Sequence, residues 1–128
     1  MGPRDLAVGL AGGRIAIGVV SLLVPGLVGR AMMGPEGSLG GTRLFFRAVG
    51  ARDLTLGIGV LVALDRDAPV RGWLRASALV DGLDVAGCLL ARHRLRPIVF
   101  PPAAGAAASG ALLSGWLAGQ LDACSANS

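Results

Sequence analysis

Four long apolar blocks limit what this 128-residue chain can fold into. They cover about residues 6–28, 44–64, 73–91 and 98–121, and each is close to the roughly twenty residues that a helix needs to cross a bilayer core. Apolar residues make up 53% of the chain and charged residues only 16%, whereas soluble domains carry about a quarter charged residues. The sequence therefore predicts an integral membrane protein.

Helices are expected in these blocks rather than strands. A segment within the bilayer must satisfy its own backbone N–H and C=O groups, and none of the blocks alternates apolar and polar residues as a barrel strand would. The first block carries Arg14 and no clear small-x-small cleavage site follows it, so we interpret it as a mature helix rather than a signal peptide. The predicted class is all-α: a four-helix transmembrane bundle that forms one domain over residues 1–128.

The arginines predict the orientation of this bundle in the membrane. All twelve cationic residues are arginines, and cytoplasmic loops usually carry the excess of such charge. The first and third loops hold Arg30, Arg43, Arg92, Arg94 and Arg96. The opposite side holds Arg4, Arg66 and Arg71. We therefore expect the first and third loops in the cytoplasm, in a bacterial cytoplasmic membrane. The net charge of +4 fits this topology and anionic lipid headgroups rather than nucleic acid.

The second block contains adjacent opposite charges, Arg52 and Asp53. A charge at the centre of a bilayer costs about 2.5 to 3.5 kcal/mol, so a partner on another helix is expected. If the second and third blocks form a hairpin around "DRDAPVRG", Arg52 and Asp53 lie at the depth of Asp84. Ser77, Asp81, Asp84 and Cys88 are spaced four, three and four residues apart, which predicts one polar face directed into the bundle.

Arg14 of the first block supplies a second cation at a similar depth. Its spacing to Gly18, Ser21 and Pro25 is also four, three and four residues, so the polar face of the third block has a counterpart. We predict that Arg14 pairs with Asp81. Asp53 then remains over, and Arg47 either reaches it or extends to the headgroups.

Two interpretations of this polar cluster stay open. A buried network of ion pairs can fix the order and register of helices without any ligand, and we favour this interpretation because the charges balance by helix pairing. The alternative is a proton or ion relay, or the floor of a polar ligand cavity.

The sequence shows no set of residues typical of an enzyme, a metal site or a cofactor site. Asp81, Asp84, Cys88 and His93 lack the spacing of a metal centre, and no serine stands with a histidine as a nucleophile and base. No glycine-rich phosphate loop follows a strand. Cys88 and Cys124 are expected at opposite depths, as free thiols rather than as a disulfide.

Small residues four positions apart allow helix backbones to approach closely. The pairs are Gly9 with Gly13, Gly105 with Ser109, Gly110 with Ser114, and Gly115 with Gly119. We interpret them as packing sites within the bundle, and a homodimer contact through the last helix is the alternative.

One motif resembles a known family. Gly50, Arg52, Asp53 and Gly57 match the Gly-x-Arg-Asp-x-x-x-Gly signature of a family of small four-helix integral membrane proteins of uncharacterised role. Pro35-Glu36, Gly72-Trp73 and Asp81 are similar as well, so the resemblance runs from about residue 6 to residue 120. It implies the fold and the membrane location, and no activity.

The sequence thus favours a non-enzymatic accessory or interaction component of the membrane. Its expected partners are membrane lipids and either a second copy or another membrane protein. A small transporter or proton-coupled carrier that uses the Asp and Arg cluster is the alternative, and a membrane enzyme is disfavoured.

Overall fold

The computed structural model describes residues 1–93, 97, 98 and 100–125, with side chains for 1–93, 97, 98 and 101–121. Its five α-helices and one 3₁₀-helix follow in the order α1 (Pro3–Leu23), α2 (Pro25–Met33), the 3₁₀-helix Gly34–Ser38, α3 (Gly40–Asp65), α4 (Arg71–Leu90) and α5 (Phe100–Ser125). The described part of the chain contains no strand. The all-α prediction is therefore confirmed. Arg94 and Arg96 of the predicted third loop lie outside the described residues.

The first apolar block forms two helices, so the prediction of a single helix over residues 6–28 is wrong. Pro3 opens α1, with Asp5 Oδ2 accepting a hydrogen bond from the Gly2 N–H at 2.9 Å. The helix ends before Val24, whose φ and ψ of −128° and 52° are not helical. The cause is Pro25, because a proline restricts the residue before it and serves well as the first residue of a new helix. The short α2 then ends at Met33, and the next residue, Gly34, has a φ of 75° that suits glycine.

The four longer helices pack as two pairs. α1 lies antiparallel on α3, since Gly18 meets Gly50 near one end of the pair while the Arg4 guanidinium donates to the Leu64 carbonyl at the other. α4 packs on α5 in the same way, with Asp81 against Gly110. The direct packing of α3 on α4 and of α1 on α5 is much less extensive.

One end of the bundle holds the apolar core, and we call it the closed end. It is the end where α3 stops and α4 starts, and all four long helices contribute to it. The core residues are Ala7, Ala11, Val60, Ala63, Leu64, Val70, Leu74, Leu117 and Ala118. The opposite end, the open end, is formed by α2, the start of α3, the end of α4 and the start of α5.

By length and composition, one helix among the described residues qualifies as a membrane span. This helix is α1, with a mean hydropathy of 2.0 over its most apolar window, of which 28% is buried inside the protein. The other long helices carry the charges of the predicted cluster or many small residues, which lower their hydropathy. One candidate span does not confirm the multi-pass prediction.

Candidate functional site

Residues 50–57 of α3 bring that helix close to α1. Gly50, Asp53 and Gly57 are spaced three and four residues apart, so they share one helix face. A Cβ atom at Gly50 would lie 2.7 Å from the Gly18 carbonyl oxygen, and one at Gly57 would lie 2.7 Å from the Ala11 carbonyl oxygen. The two glycines therefore let the α1 backbone approach on either side of Asp53, and this approach brings Arg14 within reach of that carboxylate.

Arg14 joins three helices at this point. Its Nη1 donates to Asp53 Oδ1 at 3.2 Å, and its Nη2 donates to Asp81 Oδ2. The side chains of Arg14, Asp53 and Asp81 are 8 to 10% exposed, so water competes little for these bonds. α1, α3 and α4 are thus connected through one buried guanidinium.

Arg52 extends the same network toward the open end. Adjacent residues of a helix point in different directions, so Arg52 leaves α3 on another side than Asp53. This side faces α4. Its Nη1 and Nη2 donate to Asp84 Oδ1 and Oδ2 at 2.9 and 2.8 Å, the two-bond geometry that suits a guanidinium and a carboxylate. Its Nε and Nη2 also donate to Asp53 Oδ1 at 3.2 and 3.1 Å.

The five charged side chains therefore form a continuous row, which we call the charge row. In order it consists of Asp81, Arg14, Asp53, Arg52 and Asp84, so that the signs alternate from end to end. Three carboxylates and two guanidinium groups leave a formal charge of −1. The row crosses between the two helix pairs, with three members on the α1 and α3 pair and two on α4.

The structure brings together all five residues of the predicted polar cluster and corrects one assignment. Asp53 accepts from both Arg14 and Arg52, and Arg47 is exposed instead of reaching it. The depth estimate left Asp53 without an assigned partner in the cluster, whereas its Oδ1 atom accepts hydrogen bonds from two cations. The spacing of Gly50 and Gly57 around Asp53 was the sequence signal for this arrangement.

Three buried polar atoms near the row have no hydrogen-bond partner in the described part of the chain. They are Arg14 Nε, Ser77 Oγ and Ser114 Oγ. Ser77 lies one helical turn from Asp81 on α4, and Ser114 lies one turn from Gly110, which faces Asp81 from α5. The polar face predicted for α4 therefore continues into the interior toward the closed end.

A cavity of about 420 Å³ opens beside the row at the open end. Its wall is mainly apolar, with Met32 and Met33 from α2, Phe46 from α3 and small residues from α5, and it includes Asp84 and Cys88. The Asp84 side chain is 39% exposed, so the last carboxylate of the row can be reached from this cavity. Volumes of about 300 to 1,000 Å³ are typical of small-molecule pockets.

The small-residue pairs predicted to pack within the bundle need correction. A Cβ atom at Gly9, Gly13, Gly105, Gly115 or Gly119 would meet nothing within 4 Å outside its own helix backbone. Ser109 is exposed as well. Only Gly110 and Ser114 face another helix. Between α1, α3 and α4, the closely packed glycines are Gly18, Gly50, Gly57 and Gly59, because these lie on the faces that the three helices turn toward one another.

The remaining candidates are simple to place. Cys88 is a free thiol at the cavity, Cys124 lies within α5 with its side chain outside the described set, and His93 is exposed. Among the described residues, no three His, Cys, Asp or Glu side chains are grouped so that they could hold a metal ion.

Comparisons with known proteins give this chain no relative. No protein-family model matches it, no curated protein matches it, and no solved structure matches its fold.

Proposed function

We propose that the protein is a multi-pass component of a bacterial cytoplasmic membrane, in which α1, α3, α4 and α5 cross the bilayer and the charge row assembles them. The observation that carries this proposal is an outward apolar surface around an inward row of charges. Counted over the whole residue, the exposed fraction is only 6 to 7% for Arg14, Asp53 and Asp81. It is 57 to 76% for apolar residues on the outside, namely Ile17, Leu23, Leu44, Leu79 and Leu112. Lipid favours this arrangement and water disfavours it.

The dimensions of the helices support the same proposal. α3, α4 and α5 have 26, 20 and 26 residues, and a rise of about 1.5 Å per residue makes each about 30 Å long or longer, enough for the hydrocarbon core. Their charges do not oppose insertion strongly, because Arg52, Asp53, Asp81 and Asp84 pair inside the bundle.

Within this membrane location we propose a non-enzymatic accessory role, in contact with lipids and with a second copy or another membrane protein. The charged groups of the row are engaged with one another, which supports a structural role for them. The outward-facing pair of Gly115 and Gly119 supports a helix contact with such a partner.

The topology is tested by thiol labelling from the two sides of the membrane. In a Cys88→Ala, Cys124→Ala background, Glu36→Cys reports the connection between α1 and α3, and Ala68→Cys reports the connection between α3 and α4. Both positions are exposed. We expect a membrane-impermeant maleimide to label Ala68→Cys in intact cells and Glu36→Cys only in inverted vesicles. Labelling of both positions from one side would contradict a membrane-spanning α3.

The second candidate function is a small carrier, and the cavity that reaches Asp84 favours it. A carrier needs its cavity to be wet, so Cys88 in the same wall provides the test. In a Cys124→Ala protein in vesicles, a charged methanethiosulfonate should modify Cys88 as readily as uncharged N-ethylmaleimide does. Modification by the uncharged reagent alone would mean that the cavity faces lipid, and it would exclude the carrier.

A further inference from the structure

A second concave site lies where α1 gives way to α2, and three arginines converge on it. We call it the arginine pocket: Arg30 of α2 with Arg43 and Arg47 of α3, around Leu23, Gly26 and Leu27. Its volume is about 370 Å³. We propose that the arginine pocket binds the headgroup of an anionic phospholipid. This proposal rests on the membrane location proposed above.

The three guanidinium groups are available to a ligand. All three residues are exposed, and none forms a salt bridge or a side-chain hydrogen bond within the described part of the chain. The one carboxylate nearby in sequence, Glu36, is exposed and is not part of the pocket wall. The contrast with Arg14 and Arg52 is clear, since both of those make ion pairs.

The pocket exists because of the break at Val24. If the first block were one helix, α2 would continue along the axis of α1, but Pro25 starts a new helix that passes beside the first turns of α3. Gly26 leaves room for the Arg43 side chain, whose Nε would lie 3.0 Å from a Cβ atom at that position. Arg47 lies one turn further along the same side of α3. Two helices thus contribute arginines to the wall of one pocket.

The surroundings of the arginines favour a phospholipid over a free anion. Leu23 and Leu27 are 74 and 67% exposed beside the cations, so the site offers an apolar wall next to its charge. A phospholipid has a chemical group for each part of this site. Its phosphate can accept two hydrogen bonds from a guanidinium group, and its acyl chains can pack on the leucines. In the proposed topology the pocket lies at the cytoplasmic surface, where anionic lipids attract basic residues.

The test measures lipid selectivity with a matched control. Wild-type protein is reconstituted in phosphatidylcholine vesicles, its flotation with the vesicles is checked after alkaline wash, and its relative affinity for spin-labelled phosphatidylglycerol over spin-labelled phosphatidylcholine is determined. The site variant is Arg43→Gln with Arg47→Gln, and the control is Arg66→Gln with Arg75→Gln, two exposed arginines away from the pocket. Both variants lose two positive charges.

We expect wild type and control to prefer phosphatidylglycerol and the site variant to lose that preference by about fivefold for each arginine removed. Equal loss in both variants, or retained preference in the site variant, would overturn the assignment of the pocket. Displacement of the labelled lipid by excess inorganic phosphate would contradict the assignment of a lipid ligand and would favour a free anion. A protein that floats without any preference refutes only this site, whereas a protein that does not float refutes the membrane location and the site together.

Discussion

The closed end and the open end of the bundle are held together by different forces. At the closed end, side chains from all four long helices meet, and Leu74 and Leu117 are completely buried. At the open end, a cavity of about 420 Å³ is lined by residues of α3 and α4, and Arg52 of α3 bonds to Asp84 of α4 beside it. Packing fixes one end, and ion pairs bridge the other.

This difference indicates why charges are placed between the two helix pairs. In the membrane location that we propose, apolar side chains gain little free energy by packing on one another instead of on lipid. Close packing of small residues and polar bonds must therefore hold the helices together. Small side chains and glycines supply close packing between α1 and α3, but α3 and α4 share little such surface. The charge row therefore connects the helices where packing does not.

The largest effect is expected at the centre of the row. Arg14→Met keeps an unbranched side chain but removes the guanidinium, and it leaves Asp53 and Asp81 buried without their shared cation. Loss of one partner of a buried pair costs about 3 to 5 kcal/mol, so the variant should accumulate poorly in membranes and unfold early on heating in detergent. Arg75→Met, at an exposed position of α4, is the control and should behave as wild type. A stable Arg14→Met protein would refute the structural role of the row.

A smaller effect is expected in the core of the closed end. Leu74→Ala removes a fully buried side chain and should cost about 2 kcal/mol, mainly through the cavity that it leaves. Leu79→Ala, on the same helix but 65% exposed, should change the midpoint of thermal unfolding very little. Similar losses in both variants would show that the surface around Leu79 is covered by another chain.

The contact between α1 and α3 is tested with glycines that differ only in their surroundings. Gly57→Ala places a methyl group 2.7 Å from the Ala11 carbonyl and should cost about 1 to 2 kcal/mol, because the helices must move apart. Gly13→Ala meets nothing within 4 Å and should raise stability by up to about 1 kcal/mol through helix propensity. The midpoint of thermal unfolding is measured for both variants. An unchanged midpoint for Gly57→Ala would contradict the close approach of α1 and α3.

The smallest effect is expected at the cavity end of the row. Arg52→Gln should cost about 1 kcal/mol, since Arg52 and Asp84 are 29 and 39% exposed, not fully buried, and Asp53 keeps Arg14 as a partner. Asp84→Asn should cost less, because the row has one carboxylate more than it has cations. Stability is measured for both variants and for their combination. A greater loss of stability for Asp84→Asn than for Arg52→Gln would contradict the argument from the excess carboxylate.

Simple spacing rules were sufficient to predict the partners of two arginines. Arg14 and Asp81 lie on faces with the same spacing of polar and small residues, and the hairpin depth brought Arg52 level with Asp84. Both estimates work because the rise along a helix is constant. Both partners of Asp53, Arg14 and Arg52, were missed, because depth alone does not show which side chains meet at one carboxylate.

The break at Val24 and the choice of packing glycines were harder to predict. Pro25 signals a break, yet a proline near the end of an apolar block is also compatible with a single helix that ends later. The sequence contains 21 glycines, and spacing alone does not show which of them face a neighbour. Whether a glycine faces a neighbour depends on which side of its helix packs against another helix. In this protein, the ion pairs of the charge row determine which sides meet.

The division of the charge row between the two helix pairs has a consequence for synthesis. Arg14, Arg52 and Asp53 belong to the half of the chain that leaves the ribosome first, and Asp81 and Asp84 belong to the half that follows. Until α4 emerges, the nascent hairpin of α1 and α3 carries one guanidinium more than it can neutralise. Completion of the row therefore depends on the arrival of α4, and a chain that stops after Asp65 keeps an unmatched cation in its interior.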